Sequence, residues 1–135
     1  MNILLINHYA GSDRHGMEYR PYYMAREWTR TGHHVTIVAA SYAHLRTSQP
    51  AVESSLETET IDGIDYRWVR TPSYQCNGWR RALNIFVFVL RLLRSAGRLA
   101  RDLRPDAVIA SSTYPLDMVP ARAIARRSGA LLVFE

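Results

Sequence analysis

Gly16, with His15 before it and Met17 and Glu18 after it, lies between an apolar run, Ile3 to Ile6, and an amphipathic segment that stops at Gly32. A strand that empties through glycine onto a helix mouth presents free backbone N–H groups and the positive end of the helix dipole, which together hold phosphate or another anion. His15, Gly16 and Met17 are the candidates for that contact. A lone glycine serves turn geometry equally well, so both roles stay open for Gly16. Arg14 and Arg20 carry guanidinium forks that match an anionic group, or stay solvated as loop arginines commonly do. Glu18 complements the dipole of the helix it precedes. His8 and Tyr9 stand where the first apolar run ends, and Ser111, Ser112, Thr113 and Tyr114 where a later one ends. Strand ends of this kind border the ligand crevice of an open α/β sheet, and hydroxyls there either bond a ligand or cap the next helix. The five histidines lack metal-ligand spacing: His33 and His34 are adjacent at a helix end, and His8, His15 and His44 are scattered. No metal site is expected.

Apolar periodicity and glycine and proline punctuation define the elements that must position these residues. Strands are expected near residues 2–7 and 34–39, with a helix between them that Gly32 stops. Pro21 has no N–H to donate, so the regular helix begins near Glu18 or its first turn is irregular. Ser41 to Ser55 is polar and reads as a loop. Leu56 to Ile61 and Ile64 to Arg70 flank Asp62-Gly63, a pair suited to a tight hairpin turn. Thr71 to Gly78 reads as a connector into a long helix, about Trp79 to Leu103, which Pro105 ends. Asp106 to Ser111 is a short strand, Pro115 to Ser128 a helix stopped by Gly129, and Ala130 to Phe134 a last, buried strand. Strands alternating with helices imply an α/β fold with a doubly wound, mainly parallel sheet.

A chain of 135 residues, 47% of them hydrophobic, can bury the core of one domain. Cys76 is the only cysteine, which rules out an internal disulfide and points to a reducing compartment, with the cytoplasm as the default. The chain opens on a core strand rather than a basic, then apolar, leader, and no run approaches the roughly 20 apolar residues of a membrane span. The net charge of +5 comes from seventeen arginines and no lysine. They are spread along the chain rather than interleaved with aromatics, so a nucleic-acid platform is not expected.

Several segments, in order, resemble the N-terminal half of a GT-B glycosyltransferase of the kind grouped in glycosyltransferase family 4. They are Asn2-Ile-Leu-Leu-Ile-Asn-His-Tyr9, then Gly16-Met17-Glu18, similar to the family's Gly-Gly-x-Glu with His15 at the first glycine, and Thr31-Gly-His-His-Val-Thr36. Ala110-Ser-Ser-Thr-Tyr-Pro115 and Ala130-Leu-Leu-Val-Phe-Glu135 resemble the bacterial polysaccharide-assembly branch. The resemblance spans essentially the whole chain and implies a Rossmann-like, acceptor-side domain over residues 1–135. It implies a metal-independent, retaining hexosyl transfer from a nucleotide-sugar, without a cofactor, to a polyprenyl-linked acceptor at the inner face of the cytoplasmic membrane. By the same resemblance a C-terminal domain grips the donor nucleotide, and this half alone is inactive. His15, Gly16 and Met17 would meet the donor diphosphate; His8, Tyr9, Arg14, Arg20, Ser111, Ser112, Thr113 and Tyr114 would meet the acceptor. Glu135, where the family commonly has a histidine, would orient the acceptor hydroxyl or assist its deprotonation. Rival readings are a non-catalytic binding module and a dinucleotide-dependent enzyme. Against the latter, no G-x-G-x-x-G is present and Ala39-Ala40-Ser41 stands where a ribose-binding acid would follow the second strand.

In the long helix Arg91, Arg94, Arg98 and Arg101 recur on one face, with Leu92, Leu93, Ala96, Leu99 and Leu103 opposite. Upstream, Trp79-Arg80-Arg81 leads into Ile85 to Leu90, apolar all the way round. Its outer side must be covered by a membrane interface, a partner domain, a subunit or a loop. A lipid-linked acceptor favours the membrane, with Trp79, Arg80, Arg81, Phe86 and Phe88 as the contact residues.

Overall fold

The computed structural model describes residues 1–75 and 78–135 of the chain; Cys76 and the adjoining part of the connector lie outside the described residues. The elements run β1 (Asn2–Ile6), α1 (Arg20–Arg30), β2 (His34–Ala40), β3 (Glu57–Ile61), β4 (Ile64–Val69), α2 (Trp79–Arg94), α3 (Ala96–Leu103), β5 (Ala107–Ala110), a 3₁₀ turn (Pro115–Asp117), α4 (Met118–Ser128) and β6 (Leu131–Phe134). Their order in the sheet is β3-β4-β2-β1-β5-β6. Every neighbouring pair is parallel except the hairpin β3–β4, whose turn residues Asp62 and Gly63 take positive φ of 50° and 78°.

Strand alternation sorts the core onto two faces. Leu4, Ile6, Val38, Val69 and Val108 pack against Phe88, Leu92, Ala96 and Leu99 of α2 and α3 and against Ala121, Ile124 and Ala125 of α4. Ile3, Leu5, Val35, Ile37, Ile64, Tyr66 and Trp68 pack on the opposite face against Tyr22 and Ala25 of α1. Helices on both faces of a largely parallel sheet make the fold Rossmann-like and doubly wound.

Pro21 falls in the first turn of α1, which starts at Arg20, where a missing N–H costs nothing. The long helix expected over Trp79 to Leu103 is instead broken at Ser95. The Ser95 amide is shared between the Arg91 and Leu92 carbonyls, at 3.1 Å each, and its own carbonyl already accepts from Leu99. Ser95 and Gly97 are poor helix formers, and a shared amide is how a helix interrupts and restarts. Two further expectations are corrected. Phe88 does not face outward: it is fully buried beneath the sheet, whereas Leu93 is exposed. β6 is not buried either, with Leu131 65% and Phe134 56% exposed. It is the outer strand beyond β5, and α1 lies on the far side of the sheet, over β2 and β4, leaving the face under Leu131 and Val133 bare.

Candidate functional site at the β1–β5 switch point

Beyond β1 the chain crosses to β2 on one side of the sheet, and β5 follows on the other, so the strand order reverses between β1 and β5. A crevice outside the carboxyl ends of two such strands is where open α/β sheets bind ligands. A cleft of about 130 Å³ lies there, lined by Asn7, Tyr9, Glu18, Arg20, Pro21, Leu45, Ser111 and Thr113.

Its floor is a hydrogen-bond lattice. Asn7 donates through Nδ2 to the Ser111 carbonyl (2.7 Å) and accepts the Tyr9 amide (3.0 Å). The Ser112 hydroxyl accepts the His8 amide (3.0 Å), and the Asp117 carboxylate accepts the Ser112 amide (3.0 Å). His8 Nδ1 lies 2.7 Å from the Tyr114 hydroxyl, and the imidazole stacks edge-on to Phe88. His8 and Ser112 therefore support the cleft from below rather than line it, while Ser111 and Thr113 face it. Burial, with the charge of Arg46 beside it, pushes the His8 pKa from 6.5 down to about 3, so the ring is neutral. Burial likewise raises the Tyr114 hydroxyl and the Asp117 carboxyl.

At the rim, Arg20 forms an ion pair with Glu135, and the Ser111 hydroxyl lies 3.4 Å from Glu135 Oε2. The structure thus gathers Tyr9, Arg20, Ser111, Thr113 and Glu135 around one opening, with His8, Ser112 and Tyr114 beneath. It does not bring Arg14 and His15 there. Arg14 and His15 Nε2 both bond Glu59 on β3, at 2.7 and 2.9 Å, and the Trp68 indole N–H donates to the same carboxylate at 2.9 Å. Burial alone would raise the Glu59 carboxyl, but the bonds from His15, Arg14 and Trp68 outweigh it and hold it below the usual value. Nor are the loop amides free: those of His15 and Gly16 both donate to the Ser12 carbonyl (3.2 and 2.8 Å), and the Ser12 amide donates back to Gly16 (3.0 Å). Met17 is half exposed beside them. Gly16 has φ of +88°, and a Cβ on it would meet Thr47 Oγ1 at 2.6 Å. The tighter position is Gly11, which residue type alone had not singled out: a Cβ there would sit 1.7 Å from the Gly16 carbonyl oxygen.

Arg46 is the other residue that sequence reasoning missed. Buried in the polar stretch that reads as a loop, it donates to the backbone carbonyls of Ala10 (2.9 Å), Ala40 (2.7 Å) and His8 (3.3 Å), with its guanidinium 4.8 Å from the Trp68 ring centre. Burial lowers its pKa only to about 10, so it stays charged and ties the loop after β1 to the end of β2. No spacing signal marks it, since it is one of seventeen scattered arginines. Arg81, at the start of α2, donates to the Tyr9 hydroxyl through Nε (3.2 Å) and Nη2 (3.0 Å), joining that helix to the cleft wall.

A family model described as a glycosyl transferase 4-like domain matches residues 15–135. The chain belongs to the glycosyl transferase 4-like domain family. Membership supports a glycosyltransferase-type function in general terms. No curated protein matches the chain. Among solved structures, the C-terminal domain of a hydrogenase from Pyrococcus furiosus superposes with a TM-score of 0.66 at 16% identity, over 98% of this chain and 89% of that one. A second structure of that C-terminal domain gives 0.62 at 17% identity with the same coverages. At such identity the likeness is one of fold alone. Among the described residues no helix is long and apolar enough to cross a membrane.

Proposed function

We propose that this glycosyl transferase 4-like domain is the acceptor-side, N-terminal half of a GT-B glycosyltransferase. In this reading it moves a hexosyl unit, with retention, from a nucleotide-sugar to a polyprenyl-linked saccharide for a cell-surface polysaccharide, at the inner face of the cytoplasmic membrane. The observation that carries it is the switch-point cleft within a family-matched domain: amide and hydroxyl groups of Asn7, Ser111, Thr113 and Tyr9 line one small opening, with Arg20 and Glu135 at its rim. Such a lining suits an array of sugar hydroxyls, each of which both donates and accepts. Glu135, oriented by Arg20 and Ser111, accepts the hydrogen bond of the attacking hydroxyl and aims it or takes its proton. Arg20 and the positive end of α1 supply the field for an anionic linkage, so the reading needs no metal and no cofactor.

The size of the cleft supports a second wall. About 130 Å³ is well below the ~300 Å³ at which drug-sized ligand sites begin, so the donor nucleotide is assigned to a C-terminal domain that closes over this one and excludes water. The loop around His15, Gly16 and Met17 stands outside the cleft lining and its own turn consumes the His15 and Gly16 amides, so it shapes the approach of the donor diphosphate rather than gripping it.

Titration of ¹⁵N-labelled chain with a short-chain prenyl diphosphate saccharide tests the reading. Shifts at the Tyr9, Ser111 and Thr113 amides are expected, with far weaker response to a nucleotide-sugar and no turnover by the 135 residues alone. An acceptor titration that leaves those amides unmoved overturns the acceptor assignment, and turnover by the chain alone overturns the two-domain reading.

A further inference from the structure

The solvent side of α2 is built the wrong way round for water. Phe88 and Leu92 face the sheet, yet on the opposite face Trp79 is 72%, Leu83 41%, Phe86 60% and Leu93 37% exposed. These residues follow one another at intervals that keep a single stripe on a helix. Arginines border it: Arg80, whose guanidinium lies 5.5 Å from the Trp79 ring centre, and Arg94 a few turns on, while Arg91 donates to the Arg70 carbonyl at 2.7 Å. No Asp or Glu occurs anywhere in α2. A continuous exposed apolar stripe with a one-signed basic border marks a surface that is covered in use.

We infer that the outward face of α2 is a docking surface for an anionic lipid bilayer, on which the helix lies parallel to the surface with Trp79, Leu83, Phe86 and Leu93 in the acyl boundary and Arg80 and Arg94 among the headgroups. Charge selects this occupant. A second copy would bring the same arginines against themselves, whereas anionic headgroups complement them. The stripe also runs away from the cleft: Arg81 in the first turn reaches Tyr9 at the cleft wall, while α3 ends where Asn2 donates to the Leu103 and Arg104 carbonyls at the amino end of β1. Arg81 in that first turn reaches Tyr9, so a bilayer-held helix brings a lipid-linked acceptor close to the cleft. The acceptor part of this inference rests on the transferase reading; the docking itself does not.

Co-sedimentation of the chain with pure phosphatidylglycerol and pure phosphatidylcholine vesicles tests the docking without any turnover. Pelleting with phosphatidylglycerol at low salt, loss at high salt and weaker pelleting with phosphatidylcholine are expected. Arg80→Gln and Arg94→Gln should each weaken binding on the order of fivefold, and Phe86→Asp should abolish it. Val119→Ser, at an exposed apolar residue on α4, should bind as wild type; far-ultraviolet circular dichroism confirms the fold of each variant. Wild-type chain left in the supernatant at low salt overturns the inference. So does equal binding by folded Phe86→Asp, or a wild-type dimer that Phe86→Asp converts to monomer, which assigns the stripe to a second copy. Failure of the acceptor titration with intact vesicle binding removes the transferase reading alone.

Discussion

His8 and Arg46 lie together under the cleft, a neutral ring and a retained charge, and each leaves a measurable signature. The folded His8 pKa of about 3 lies below the ordinary 6.5, so the unfolded chain binds a proton that the folded chain refuses. That contribution to stability is complete above about pH 6.5 and is lost as pH falls toward 3, a swing of several kcal/mol at roughly 1.4 kcal/mol per pH unit. Urea unfolding followed across this range should show the slope, and His8→Gln should flatten it. Glu57 and Glu59, both held below their usual value, act in the same direction but only at more acid pH, while Asp117, raised by burial, acts against them. A wild-type slope retained by His8→Gln would assign the acid lability to the carboxylates. Arg46 makes a separate case: Arg46→Met strands the carbonyls of Ala10 and Ala40 that its guanidinium satisfies, while the His8 carbonyl keeps the Ala40 amide at 3.1 Å. At roughly 1–3 kcal/mol for each unsatisfied buried group, a loss of at least about 2 kcal/mol is expected by urea denaturation. Arg46→Lys should recover little of it, because a point charge cannot span three directions.

Among the elements, the segment from Gly11 to Glu18 is a self-bonded unit rather than an open cradle. Gly11→Ala should cost more stability than Gly16→Ala, because the first places a Cβ 1.7 Å from a backbone oxygen, whereas the second meets the Thr47 hydroxyl at 2.6 Å and the Thr47 backbone nitrogen at 3.0 Å and adds the strain of a positive φ, about 1–3 kcal/mol. Thermal unfolding of the two variants decides the order. Punctuation made most of the architecture legible in advance. Asp62-Gly63, Gly32, Pro105 and Gly129 mark ends that depend on local backbone preference, and local preference is written in residue type. Features fixed by distant partners were not legible. Glu59 has no motif around it until the fold brings Arg14, His15 and Trp68 to its carboxylate, and Ile85 to Leu90 reads as uniformly apolar until the sheet claims Phe88 and leaves Phe86 outside. At the site, strand ends placed Tyr9, Ser111 and Thr113 at the cleft because topology carries them there, whereas the hydroxyl of Ser112 turned inward, a choice that depends on the amide of His8.

For the molecule as a whole, the two edges of the sheet are finished differently. β3 carries Glu57 and Glu59 on its strand, and charge on an outer strand discourages pairing with another chain. β6 carries Leu-Leu-Val-Phe, without a charge, half of it bare to solvent, and one row of its backbone N–H and C=O groups faces outward from the end of the sheet. Such an edge sets a colloidal limit. The chain should stay dispersed when dilute and lose monomer on concentration, through strand-to-strand pairing rather than unfolding, so light scattering should rise while the far-ultraviolet spectrum keeps its native shape. Leu131→Lys with Val133→Lys, both on the uncovered face of β6, should raise the concentration at which scattering begins without changing the unfolding free energy by more than about 0.5 kcal/mol. The same uncharged edge that limits solubility in a tube is, for a neighbouring strand, a ready template on which the sheet can grow.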